Sequence, residues 1–311
     1  MPPEPPLGAA GPFRTVIQLA GDRLARELGP DANALVMLNR VAFLDTRAGR
    51  PLKLEERGKR ALLGWACRGS LGQDPGLVAA VSRRREHALR VLSGASAGSR
   101  AASRGTLRCL RLRAEPEWRL AVGHGNKANA YEIGLALHGT YGWPVIPGSA
   151  LKGLAAAWAA SESSGAATED LLRVLGGPRP GTPPPHGSSA SASSLPVLQS
   201  RQGTVRFLDA IPDGKPVTVL ADVLTPHVKP YYDSLTGAPA TPVPPAEYHN
   251  PVPVTFLTVS GGYAVDLYGP DEKDVELAAE WLMKAGDELG AGAKTAAGYG
   301  YLAVTPKRQT P

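Results

Sequence analysis

Val275, Ala278, Trp281, Leu282 and Ala285 recur at three- and four-residue spacing, the period of a helix with one apolar face. The same period predicts helices over Ala34–Leu44, Leu54–Cys67 and Pro75–Leu92, giving a helical N-terminal region. It also predicts a helix carrying Leu151, Leu154, Ala155 and Trp158 on one side, and a short one near Glu169–Leu175. From Leu107 to Arg113 the pattern changes to alternation, with Leu110 and Leu112 set against Arg111 and Arg113, as in a half-buried strand. Further strands are predicted at Trp118–Val122, Glu132–His138, Thr204–Leu208, Val217–Leu224 and 298–304. Val254–Val259 and Tyr263–Tyr268 read as a hairpin around Ser260-Gly261-Gly262.

Helices and strands thus alternate as β, α, β-β, α, β with insertions. That order predicts an α+β, ferredoxin-like (RRM-related) domain over 106–306, with an antiparallel sheet and helices on one face, preceded by the helical region 13–105 and a disordered 1–12. The open face of such a sheet is a common RNA-binding surface. Residues 176–194 are low-complexity and are expected to be mobile. Residues 226–252 carry seven prolines and no clear period, as a functional or disordered loop does.

Composition narrows the function. A net charge of +6 suits a polyanionic partner. Nine arginines between 83 and 113 face one acid, Glu86, and read either as a solvated surface or as a contact with RNA or a neighbour. Cys67, Cys109 and six scattered histidines form no metal-like spacing, so neither a metal nor a cofactor is expected. The N-terminus lacks the basic start and apolar run of a signal peptide, and the apolar stretch Leu154–Ala160 is too short to span a bilayer. The expectation is a cytoplasmic protein that does not engage membrane.

Three stretches carry chemistry. In LGAGAKTAAGYGYL (289–302), Ala293 separates Gly292 from Lys294, and the loop follows a helix instead of preceding one, which excludes a nucleotide-binding P-loop. Gly290 and Gly292 let the backbone approach a ligand, and Lys294 and Thr295 offer a charge and a hydroxyl; the plainer reading is a helix cap with tight packing. Gly298 and Gly300 are expected on one strand face, Tyr299 and Tyr301 on the other. In IPGSALKGL (146–154), Ser149 is expected to cap a helix after the Pro147-Gly148 turn. Lys152 in the first turn opposes the helix dipole, a conflict that a bound anion removes; an exposed lysine is the alternative. In Gly123-His124-Gly125-Asn126-Lys127, His124 fits a general base for RNA cleavage, a phosphate or base contact, or an exposed loop.

IPGSALKGL, GTVRFLDAIP (203–212) and GAGAKTAAGYGYL (290–302) together resemble the RAMP superfamily of CRISPR proteins, over roughly residues 118–304. Their order, with the helical N-terminal region, resembles subunit six of the type III-B Cmr effector. The resemblance implies a non-catalytic, antiviral RNA-binding subunit at the end of a filament, near the 3′ portion of the guide RNA. Its implied partners are guide RNA, target RNA, a backbone RAMP subunit and a small helical subunit, with target cleavage supplied by the backbone subunit. Gly148, Ser149, Lys152, Arg206, Gly290, Gly292, Lys294 and Thr295 would then hold phosphates, extended by His124 and Lys127. The loop 226–252 would form a thumb on which Tyr231, Tyr232 or Tyr248 stacks on a displaced base. Asp209 and Asp213 read as turn and strand-end residues. The alternatives are a metal-independent guide-RNA endonuclease with His124 as base, and a protein-only scaffold.

Overall fold

The computed structural model describes residues 32–40, 44–45, 53–54, 56–68, 71–94, 107–124, 133–177, 202–225, 228, 230–231, 234, 243–244, 246, 251 and 253–307. Lys127, Tyr232 and Tyr248, the segment 1–12, and most of 176–194 and 226–252 lie outside them.

The N-terminal helices are α1 (Ala34–Arg40), α2 (Glu56–Arg68) and α3 (Pro75–Leu92); α3 matches its expected span, whereas α1 and α2 are cut short of Leu44 and Leu54, which lie in strands. Asp74 accepts the Leu77 N–H at 2.7 Å and Pro75 supplies a preset first turn, so α3 begins at a well-satisfied N-terminus. A two-stranded ribbon, β1 (Leu44–Asp45) with β2 (Lys53–Leu54), joins α1 to α2.

The main sheet has the order β4-β8-β3-β9, built from β3 (Arg108–Pro116), β4 (Arg206–Phe207), β8 (Tyr263–Gly269) and β9 (Leu302–Pro306), with β5 (Ile211–Pro212) also on β8. With α4 (Gly148–Ala159) after β3 and α6 (Glu272–Glu288) after β8, the elements follow the ferredoxin-like βαββαβ path. The short α5 (Thr168–Val174) follows α4. The two long helices pack on each other, and α6 covers β3, β8 and β9. Leu112, Ala114, Val265 and Leu267 are fully buried in this layer.

Alternate residues of the central strands face the other way, and that face is not open. Arg111 and Asp266 are paired across β3 and β8, at 2.6 Å from Nε to Oδ1. Arg85 of α3 closes on the same carboxylate at 2.8 Å, and Glu86 lies 3.3 Å from Arg111. Helices therefore lie on both faces, and the sheet surface expected to be open is covered by α3. Part of the arginine run is consumed here; Arg83, Arg84 and Arg90 stay exposed. Leu38, Leu62 and Trp65 of the N-terminal helices belong to one contiguous core with Leu112, Val265 and Leu282.

The expected hairpin is corrected. β7 (Val254–Ser260) pairs along its whole length with β6 (Thr218–Leu224), while β8 pairs with β3, β4 and β5. The turn 260–262 carries the chain from one sheet into the other. Trp118–Val122 and the described part of the second expected strand, 133–138, are not strands; each contributes one isolated bridge, Leu120 to Val259 and Leu137 to Pro144.

Candidate nucleic-acid interface

α4 starts against the β4–β5 segment. A Cβ at Gly148 would meet the Phe207 carbonyl oxygen at 2.3 Å, so only glycine allows this approach. Ser149 is not the cap: it is the second helical residue and is exposed. The Gly148 N–H instead donates to Asp209 Oδ1 at 2.7 Å, and the backbone carbonyl of Asp209 accepts from Arg85 at 2.6 Å. The anion at this helix N-terminus is thus the protein's own, and Asp209, expected to be a turn residue, is its cap. Lys152 is half-buried beside Arg206; burial and then the Arg206 charge push its pKa down. Arg206 donates to the Gly203 carbonyl at 2.5 Å.

The glycine loop leaves α6 and lies along residues 117–121. Ala293 N–H donates to Ala121 and Gly300 N–H to Arg119, both at 2.8 Å, and Glu117 N–H donates to Tyr301 at 3.0 Å. A Cβ at Gly292 would meet the Ala121 oxygen at 2.5 Å; one at Gly300 would meet the Ala291 oxygen at 2.1 Å. Both have positive φ, +87° and +85°. These glycines are explained by backbone packing against the chain itself. The stretch 298–301 is not strand, since β9 begins at Leu302; the Gly–Tyr alternation of faces does not form.

Lys294 is the exception in this loop. It is a lysine at φ 66°, in the left-handed region where a side chain costs on the order of 1 kcal/mol. Its Nζ lies 4.6 Å from the centre of the Phe256 ring, a cation–π contact. Thr295 packs its methyl toward Gly290, 3.1 Å from where a Cβ would stand. His124 sits edge-on to Phe256, with ring centres 5.0 Å apart, and its Nε2 faces the Leu257 carbonyl at 3.1 Å. Facing a carbonyl, that nitrogen must carry the proton and donate. Burial, and secondarily the Lys294 charge, lower the His124 pKa against the opposing Leu257 bond.

An aromatic cluster completes this neighbourhood. Tyr299 is 3% exposed and donates its hydroxyl to Asp222 at 2.8 Å; Arg119 reaches the same oxygen of Asp222 at 2.7 Å. Burial and the Asp222 bond raise the Tyr299 pKa to about 12. Burial pushes Asp222 up, but Tyr299, the Val223 N–H and Arg119 outweigh it, leaving this carboxyl below its ordinary value. Trp118 and Arg119, passed over as ordinary strand residues, frame the cluster; nothing in the sequence distinguished an exposed tryptophan from a buried one.

The structure thus brings Lys294, Thr295 and His124 together, and Lys152, Ser149, Gly148 and Arg206 together. α4 reaches β4, at one end of the sheet order, while the glycine loop leads into β9 at the other. The glycine loop lies toward the end of the sheet at which β3 finishes, since β9 starts opposite Pro116, whereas Gly148 meets Phe207, whose partner Leu267 pairs with Leu110 in the first half of β3. Tyr231 is half-buried, and its carbonyl accepts the Ser234 hydroxyl at 2.6 Å. Among the described residues no group of three His, Cys, Asp or Glu side chains could hold a metal ion, and no helix is long and apolar enough to cross a membrane.

The sequence model of the family described as the RAMP superfamily matches residues 119–303. A curated protein of Pyrococcus furiosus, the CRISPR system Cmr subunit Cmr6, is 31% identical over 224 residues, covering 59% of this chain and 64% of its own length. The chain therefore spans less than two thirds of that relative. Among solved structures, a chain in the cryo-EM structure of the type III-B Cmr-beta bound to cognate target RNA aligns with 80% of this chain and 71% of its own, at 16% identity and a TM-score of 0.55. At that identity the likeness concerns the fold alone.

Proposed function

The chain belongs to the RAMP superfamily, and on that premise we propose that it is a guide-RNA-binding subunit of a type III-B CRISPR effector, holding RNA by its phosphates without reading sequence. Lys294 and Thr295 form one station, extended by His124 and Lys127. Lys152 and Arg206, with the exposed Ser149, form a second, from which Gly148 drops out because its N–H is taken by Asp209. Guide RNA, target RNA, a backbone RAMP subunit and a small helical subunit are the partners in this reading, and the chain caps the filament near the 3′ portion of the guide. The thumb role of Tyr231, Tyr232 and Tyr248 belongs to the same proposal. Phosphate contacts position RNA whatever its sequence, as a complex that accepts many guides requires.

One observation carries the reading. Lys294 is held in a strained backbone conformation, in a loop that otherwise resolves that strain with glycine, with its ammonium displayed on an aromatic face. Glycine or asparagine would fit the backbone better, so backbone geometry does not account for a lysine here. The 31% identity to a CRISPR system Cmr subunit supports a place in a complex of that kind.

Salt-dependent RNA binding tests it. Each lost phosphate contact with single-stranded RNA should make the slope of log K against log salt shallower by roughly 0.7. Lys294→Ala and Lys152→Ala should each do this on unrelated sequences. Unchanged slopes in both would remove these residues from the interface. In the endonuclease reading the base would be His124 Nδ1, since Nε2 donates to the Leu257 carbonyl; metal-free cleavage of repeat RNA, abolished by His124→Ala, would favour that reading.

A further inference from the structure

Trp118 is 51% exposed, the most exposed of the large apolar side chains described. It is nevertheless not loose. Its ring lies 4.8 Å from that of Tyr299, tilted by 35°, and the Arg119 guanidinium sits 5.1 Å from its centre. Tyr299 and Arg119 are in turn fixed by the same carboxylate, Asp222, and Tyr299 meets Phe256 edge-on at 5.5 Å. Phe256 carries the Lys294 ammonium. A wide, flat ring is therefore held in place and half uncovered, at the end of an aromatic row whose other end bears the Lys294 ammonium.

We propose that the Trp118 indole is a stacking platform for one unpaired base of a single-stranded RNA whose backbone Lys294 holds. The inference rests on the RNA-binding reading above and adds the base contact to it. Three features select a base as the occupant. The ring is fixed before binding, so stacking orders little that is not already ordered. Asp222 is balanced by Arg119 and Tyr299, which leaves Lys294 as the charge offered to a polyanion. The exposed Glu117 next to Trp118 disfavours phosphate at this spot. Every base has a π-face, so such a contact preserves indifference to sequence.

Intrinsic fluorescence of the full chain tests this directly. Trp65, Trp143 and Trp281 are buried and Trp158 is half-buried, so a change on RNA addition reports chiefly on Trp118. Single-stranded homopolymer RNA should quench the signal, and an abasic oligomer of equal length should not. Trp118→Ala should weaken RNA binding roughly 5- to 150-fold with an unchanged salt slope, while Trp118→Phe should retain most of the affinity. Equal melting temperatures of both variants and wild type would show that folding is not the cause. If wild type binds RNA without quenching and Trp118→Ala binds as tightly, stacking is wrong and the phosphate reading stands. If Trp118→Ala instead keeps RNA binding and loses assembly with partner subunits, the ring is a protein contact and the proposal is overturned. If wild type binds no RNA at low salt, the underlying reading fails and the stacking proposal with it.

Discussion

The turn entering α4 is closed by a side chain, and the loop leaving α6 is closed by backbone. At the first, the Asp209 carboxylate occupies the helix N-terminus and Arg85 holds Asp209 from behind. At the second, Gly292 and Gly300 let the loop lie against residues 119–121 through main-chain hydrogen bonds, leaving Lys294 to point at a ring. Both segments contain glycines, a lysine and a hydroxyl residue. The difference teaches that a helix N-terminus counts as an anion site only after the protein's own carboxylates have been placed. It also makes the glycine loop the stronger of the two proposed stations.

Three substitutions sharpen the contrast. The largest effect is expected from Gly300→Ala, which places a Cβ 2.1 Å from a backbone oxygen at φ +85°. It should destabilise by about 3 kcal/mol in chemical denaturation; a loss within error would mean that the loop adapts freely. Asp209→Ala removes the cap of α4 and should lose about 1–2 kcal/mol. Phosphate or sulfate should then restore part of the melting temperature in this variant and leave wild type unchanged. If wild type responds equally, the N-terminus is open to anions despite Asp209. The smallest effect, of opposite sign, is expected at Gly153, inside α4, where an added Cβ meets nothing within 4 Å. Gly153→Ala should stabilise by roughly 0.5–1 kcal/mol.

The sequence was most legible where structure is local. The spacing of Val275, Ala278, Trp281 and Leu282 located α6, and the same period located α3 over Pro75–Leu92. Alternation identified β6, β7 and β8 as strands, but alternation says nothing about partners. Val254–Val259 and Tyr263–Tyr268 are neighbours in sequence, yet each found its mate elsewhere, because a strand pairs where its apolar face is buried. Ser149 was the best local cap on offer and lost to Asp209, 61 residues away from Gly148. The glycine loop was legible as unusual; what the glycines do required knowing that residues 119–121 lie beneath them. Trp118 gave no sign in the sequence, since exposure is a property of the fold.

The Arg111–Asp266 pair joins positions 155 residues apart, and Arg85 depends on the same acid. A ribosome delivers α3 and β3 long before the codon for Asp266 is read. During synthesis two guanidinium groups wait for a shared carboxylate that follows 155 residues after Arg111. The early helices can wind as they emerge, but the final seat of α3 exists only once β8 has been made.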